Sequence, residues 1–169
     1  MSKANLLPIV TQDPALARDT EELYDALEDL LRVYQFRDRD RICCFDVSVS
    51  QCYALEGLVR RGNMTLNDLA AHLYLDKSTA SRVVDALERK GYVARTPHPK
   101  DRRAVLLEAT TAGRSLEGKI RESILAEERQ LLADFTPEVR QAMTQLIRRL
   151  ARAANTQVGT AGGSCCSVP

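Results

Sequence analysis

Residues 65–109 read TLNDLAAHLYLDKSTASRVVDALERKGYVARTPHPKDRRAVLLEA, and the order of signals within them decides the fold. Leu66, Leu69 and Leu73 recur at helical spacing in the first part. A second helix is expected from Ala80, Val83, Val84 and Leu87, which stand at i, i+3, i+4 and i+7. Asp76 occupies the place of an N-cap and Gly91 that of a left-handed stop, with Lys90 near the C-terminal dipole. The opposite face of this helix carries Lys77, Ser78, Ser81, Arg82 and Asp85. VARTPHPKDRRAVLLEA then predicts a strand, a tip with two prolines and a basic cluster, and a returning strand.

Working outward, the 169 residues are 44% hydrophobic, enough for one sizeable core, and the apolar positions are mostly Leu, Ala and Val, which suits helices. Formal net charge is +1, but it is unevenly spread. Residues 1–59 hold 6 Lys and Arg against 11 Asp and Glu, a net −5; residues 60–103 hold 10 against 5, a net +5; residues 104–169 hold 8 against 7. Positive charge thus gathers in the stretch quoted above, where it would supply attraction to phosphates. A helix whose exposed first turns are small, hydroxylic and basic suits a DNA major groove, because small residues permit approach and donors reach bases or phosphates.

The ordered series of helix, turn, capped helix ending in Gly-Tyr, strand, Asp-Arg-Arg loop and strand resembles the MarR family of winged-helix transcriptional regulators. The resemblance is carried by DKSTASRVVDALERKGYVAR and by PKDRRAVLLEATTAG, and is detailed over residues 65–113. It implies a mainly α fold with a small β-wing, in which helices from both chain ends pair two copies. Within the wing, Arg102 and Arg103 are the main candidates for entering the minor groove; the resemblance makes Arg103 the family's wing arginine and implies that Asp101 orients it rather than touching DNA. A carboxylate so close to phosphate needs such a guanidinium partner. The expected contact set on the recognition helix is Ser78, Thr79, Ser81 and Arg82, with Lys77 on phosphate. Lys100 and His98 are candidates for backbone contacts, and His98 is equally read as an exposed loop residue. His72 is read as a surface or partly packed side chain.

Around this unit, residues 1–18 read as an extended arm and residues 19–154 as one domain. Its winged helix spans about 50–109, and its dimerisation helices about 19–36 and 111–154. In DTEELYDALEDLLRVYQF, Leu23, Leu27, Leu30, Leu31 and Tyr34 share a face; residues 37–49 break the period, and Ser50 caps a helix to about Arg61. That helix is expected to use Tyr53, Leu55, Leu58 and Val59 as its apolar positions. Thr110 or Thr111 starts a helix to about Asp134, and Thr136-Pro137 restarts one bearing Val139, Met143, Leu146, Ile147 and Leu150. Residues 155–169 read as a flexible Gly- and Ser-rich tail. The apolar stripes of the outer helices exceed what so small a winged helix can cover, so a homodimer is expected. Its two recognition helices would meet half-sites of a palindromic double-stranded operator roughly 34 Å apart.

Five cysteines, Cys43, Cys44, Cys52, Cys165 and Cys166, are many for a chain expected to be cytoplasmic, where structural disulfides are rare. Cys43 and Cys44 fall between the first two helices and Cys52 near the start of the second, where a thiolate is favoured. The family resemblance places effector control near this junction. The expectation is a regulator, most simply a repressor, that needs no cofactor and answers a soft metal or metalloid such as arsenite, antimonite, cadmium or mercury. Cys43, Cys44 and Cys52 would bind it, with Cys165 and Cys166 able to reach in from the tail. Oxidation sensing, and inert buried cysteines with an aromatic effector, stand beside it. Enzymatic chemistry is not expected: the two histidines both lie in the DNA-reading stretch and no CxxC pair exists. A winged helix serving only protein contacts is the remaining alternative, and the basic wing argues against it. No apolar run is long enough to cross a bilayer, and no signal-peptide pattern follows Met1.

Overall fold

The computed structural model describes residues 13–42, 44–99 and 104–160. Helix α1 runs Pro14–Ile42, α2 Val49–Arg61, α3 Leu66–His72, α4 Lys77–Arg89, α5 Thr111–Leu131 and α6 Pro137–Thr160. Three short strands, β1 Met64–Thr65, β2 Val93–Pro97 and β3 Val105–Ala109, form an antiparallel sheet in the order β1-β3-β2. The fold is therefore mainly α with a small β-wing. Two compact units divide within α5, between Arg121 and Glu122.

In the first unit the core is drawn from every element of the winged helix. Leu55 and Leu58 of α2, Leu69 of α3, Val84 and Leu87 of α4, and Leu107 of β3 are fully buried. The register sets Val93 opposite Ala109 and Leu107 opposite Met64, so one face of the sheet is closed by apolar side chains. Each helix starts on a local signal. Thr65 and Asp68 form a reciprocal capping box at α3, and the Asp76 side chain accepts from Thr79 N–H at α4. Gly91 is left-handed at φ +75°, and Tyr92 N–H returns to Leu87 C=O at 2.9 Å, a tight stop for α4.

The end of α3 makes the same kind of turn with a less suitable residue. Leu75 N–H returns to Ala70 C=O at 3.0 Å, and the left-handed position is held by Tyr74 at φ +53°. No Gly or Asn marks this turn, so nothing in residue type announces it.

A third junction joins α4, the wing and α5. Thr110 Oγ1 donates to Gly91 C=O at 2.7 Å and accepts from Gly113 N–H at 3.1 Å, while Thr110 N–H bonds Tyr92 C=O at 3.0 Å. Gly113 is obligatory here, since a Cβ would lie 2.2 Å from the Tyr92 carbonyl oxygen.

Several boundaries differ from the sequence reading. The first helix begins at Pro14, inside the expected arm, because Asp13 caps it, accepting from Ala15 N–H at 3.0 Å, and proline suits the first helical position. It also continues through residues 37–42, where a break in period was expected; Arg37 lies over the Tyr34 ring and Arg39 over Phe36. Ser48 rather than Ser50 caps α2, because Ser48 and Gln51 form a capping box that Ser50 lacks. The buried face of α2 uses Cys52, Ala54, Leu55 and Leu58, and Tyr53 is exposed. Helix α6 extends to Thr160, six residues beyond its expected end at residue 154.

The outer helices differ from this core. On α1, Leu23, Leu30, Leu31, Val33 and Phe36 are exposed. In the second unit, Leu146 is 65% and Ile147 57% exposed, and Val139 and Leu150 are exposed with them. Met143 is the most sheltered described side chain of α6, and it is only half-buried.

Candidate nucleic-acid interface

Helix α4 turns Ala80, Val84 and Leu87 into the core, which leaves Lys77, Ser78 and Arg82 exposed and Thr79 and Ser81 half-buried on the other side. The five contact candidates on this helix are thus brought to its outer face and first two turns. Asp76 organises them. Its carboxylate accepts Ser78 O–H at 2.6 Å, Thr79 O–H at 2.7 Å and Thr79 N–H at 2.9 Å. These bonds hold the carboxyl far below the usual carboxylate range, the Ser78 hydroxyl contributing most. Arg82 Nη2 in turn donates to Thr79 Oγ1 at 3.1 Å.

Asp85 was read on the same exposed face, where its charge would oppose phosphate. Arg95 of β2 engages it and also meets Glu88 at 3.4 Å. The bridge both offsets two carboxylates and ties the root of the wing to the recognition helix. Beyond that root, His98 N–H bonds Ala104 C=O at 3.1 Å and extends the hairpin. Lys100, Asp101, Arg102 and Arg103 lie outside the described residues. A cleft of about 340 Å³ separates Lys77 from the foot of the wing, lined by Thr65, Leu66, Asn67, Ala104 and Val105 as well.

Lys90 has a role that its position in the sequence does not announce. Its Nζ donates to Asp46 C=O at 2.6 Å and to Gln51 Oε1 at 3.2 Å, and pairs with the Asp46 carboxylate at 3.2 Å. The same Gln51 oxygen accepts Ser48 N–H in the cap of α2. The end of the recognition helix is thereby fastened to the connection between α1 and α2. A partner 44 residues away leaves no local pattern, so helical spacing cannot reveal it.

That connection carries part of the expected thiol cluster. Cys44 is exposed, its Sγ 3.8 Å from Asp40 C=O, whereas the Cys52 side chain is buried in the core face of α2. Cys43, Cys165 and Cys166 lie outside the described residues. Among the described residues no group of three Cys, His, Asp or Glu is arranged to hold a metal ion. His72 is half-buried, and its ring would block any Cβ at Gly57. Burial and then the nearby Arg61 lower its pKa, so it resists protonation.

Residues 47–105 match the MarR family. The chain is 30% identical over 115 residues to the HTH-type transcriptional repressor MdtR of Bacillus subtilis (strain 168), covering 65% of this chain and 71% of that one. It is 35% identical over 100 residues to the HTH-type transcriptional regulator MT0903.1 of Mycobacterium tuberculosis (strain CDC 1551 / Oshkosh), covering 59% and 67%. In fold it is similar to a MarR family protein from Bacillus stearothermophilus, with TM-score 0.75 and 24% identity over 82% of this chain and 97% of that one. Wild-type MarR from E. coli superposes with TM-score 0.61 at 22% identity, over 73% and 96%. These relatives are regulators rather than enzymes, and no described helix is long and apolar enough to cross a membrane. The chain belongs to the MarR family of DNA-binding helix-turn-helix transcriptional regulators.

Proposed function

We propose that this chain represses transcription as a homodimer on a palindromic operator and that a thiophilic effector releases it. The observation that carries the first half is the pairing of a fully built recognition helix with uncovered apolar faces on α1 and α6. A second copy covers such faces and supplies the second recognition helix, with half-sites about one helical turn apart. Lys77 sits beside the cleft at the foot of the wing, a position suited to a phosphate. Arg102 and Arg103 enter the minor groove, Lys100 adds a backbone contact, and Asp101 orients Arg103. The resemblance to a relative named as a repressor supports repression.

The second half rests on the link from Cys44 to the recognition helix. Cys44 is exposed two residues from Asp46, which Lys90 holds. Arsenite, antimonite, cadmium or mercury would take thiolates from Cys43, Cys44 and Cys52, with Cys165 and Cys166 available from the tail. Because Cys52 is buried, recruiting it requires the start of α2 to move, and Gln51 moves with it. Passing from 99% bound to 99% released takes about 5.5 kcal/mol of differential affinity, within the reach of thiolate–metal bonds.

The test uses fluorescence anisotropy on the duplex upstream of the protein's own coding sequence. Salt-dependent binding is expected, and Arg103→Ala should weaken it by about 1–3 kcal/mol. Low micromolar arsenite, antimonite, cadmium or mercury should release the wild type. A Cys43, Cys44 and Cys52 triple serine variant should bind DNA and ignore them. Release by oxidants alone assigns oxidation sensing, and release by no thiol reagent assigns an organic, aromatic effector.

A further inference from the structure

We propose that Ser78 reads the operator only as a hydrogen-bond acceptor, and so selects the exocyclic amino group of a cytosine or adenine in the major groove. This rests on the reading above that the outer face of α4 enters that groove. It goes further by assigning which base chemistry one residue accepts.

An ionised carboxylate has no hydrogen to give, so every polar hydrogen between Asp76 and its neighbours comes from the neighbour. Ser78 Oγ stands 2.6 Å from Asp76 Oδ1 and Thr79 Oγ1 2.7 Å from Oδ2, so both hydroxyl protons point back at the carboxylate. The same contacts keep that carboxyl ionised at any physiological pH. Each hydroxyl is left with lone pairs to offer. Those of Thr79 already receive Arg82 Nη2, and the residue is half-buried. Ser78 is exposed, and its outward lone pairs remain for an incoming donor.

The major groove offers few donors. Cytosine N4 and adenine N6 carry hydrogens there, whereas guanine N7 and O6 and thymine O4 accept, as do phosphate oxygens. A hydroxyl turned proton-inward cannot bond those acceptors, and the Asp76 charge behind it repels them. Arg82, one turn further along, has donors only. The helix therefore displays an acceptor at position 78 and donors at position 82, about 6 Å apart along its axis.

Sequence selection from random duplexes, with wild type and Ser78→Ala in parallel, tests this. Wild type should prefer one base pair at one position of each half-site, and Ser78→Ala should lose that preference there alone, a change of roughly fivefold or more. Replacing the selected base by its analogue without the amino group, 2-pyrimidinone for cytosine or purine for adenine, should weaken wild type by the same factor and leave Ser78→Ala unchanged. Equal thermal unfolding of the two proteins separates recognition from folding. The inference is overturned if no position changes in Ser78→Ala, or if wild type tolerates the amino-less analogue. A wild type that selects no sequence at all would instead overturn the placement of α4 in the groove.

Discussion

Helices α4 and α6 carry comparable apolar stripes and meet opposite fates. On α4, Ala80, Val84 and Leu87 are fully buried within 13 residues. On α6, which is 24 residues long, Val139, Leu146, Ile147 and Leu150 all remain exposed. The DNA-reading unit finds its partners within one chain: α2, α3, the wing and the Thr110 junction close around it. The terminal helix does not. Burial at about 25 cal/mol per Å² of apolar surface drives such a face to find cover, and a second copy is the cover proposed above. The lesson is that an amphipathic period states which residues will be buried, but not which chain will bury them.

The largest expected effect comes from attacking the uncovered side. Leu146→Glu with Ile147→Glu should convert the dimer to monomer and lower operator affinity more than 100-fold, read by sedimentation and anisotropy, with the helicity of the winged helix intact. Unchanged assembly would show that α6 is not the covered face. Next, Gly113→Ala attacks the self-contained side. With a backbone oxygen 2.2 Å from the new Cβ, the loss should be about 3 kcal/mol, seen as a lower urea midpoint. Operator affinity of the folded fraction should fall less than with the α6 variant.

A smaller effect should follow Lys90→Met, which removes the tie from α4 to the α1–α2 connection. The Asp46 carboxylate is largely exposed and contributes little, so the loss of about 1 kcal/mol comes mainly from Asp46 C=O and Gln51. Its informative readout is the response to thiol reagents, which should be blunted while DNA binding persists. Least of all, Tyr74→Gly should stabilise by up to about 1 kcal/mol, since the residue sits at φ +53° and is 72% exposed. A melting temperature that falls instead would mean that Tyr74 contacts outweigh its backbone strain.

What could be read from sequence follows the same division between near and far. Asp76, Gly91 and the Ala80–Leu87 period act within a few residues, and the recognition helix was legible to within its caps. Asp13-Pro14 and Ser48-x-x-Gln51 are equally local signals, and as cap plus first-position proline and as capping box they mark the starts of α1 and α2, where the arm expected over residues 1–18 and Ser50 do not. Lys90, Arg95 and Thr110 reach across 10 to 44 residues, so their roles depend on how helices and strands come together. Tyr74 holds its turn against residue preference, because Leu75 must return to the α3 carbonyl. The burial of Cys52 likewise follows from packing, since its place in α2 turns it toward the core.

The proposed repressor completes its reading head within one chain but needs a second copy to bind DNA. Sedimentation equilibrium of the protein at low micromolar concentration, alone and with its upstream duplex, measures this most directly. The prediction is a free species of twice the 18.8 kDa chain mass and a complex of two chains per duplex. A stable 18.8 kDa monomer that binds the palindrome singly and with full affinity would contradict it.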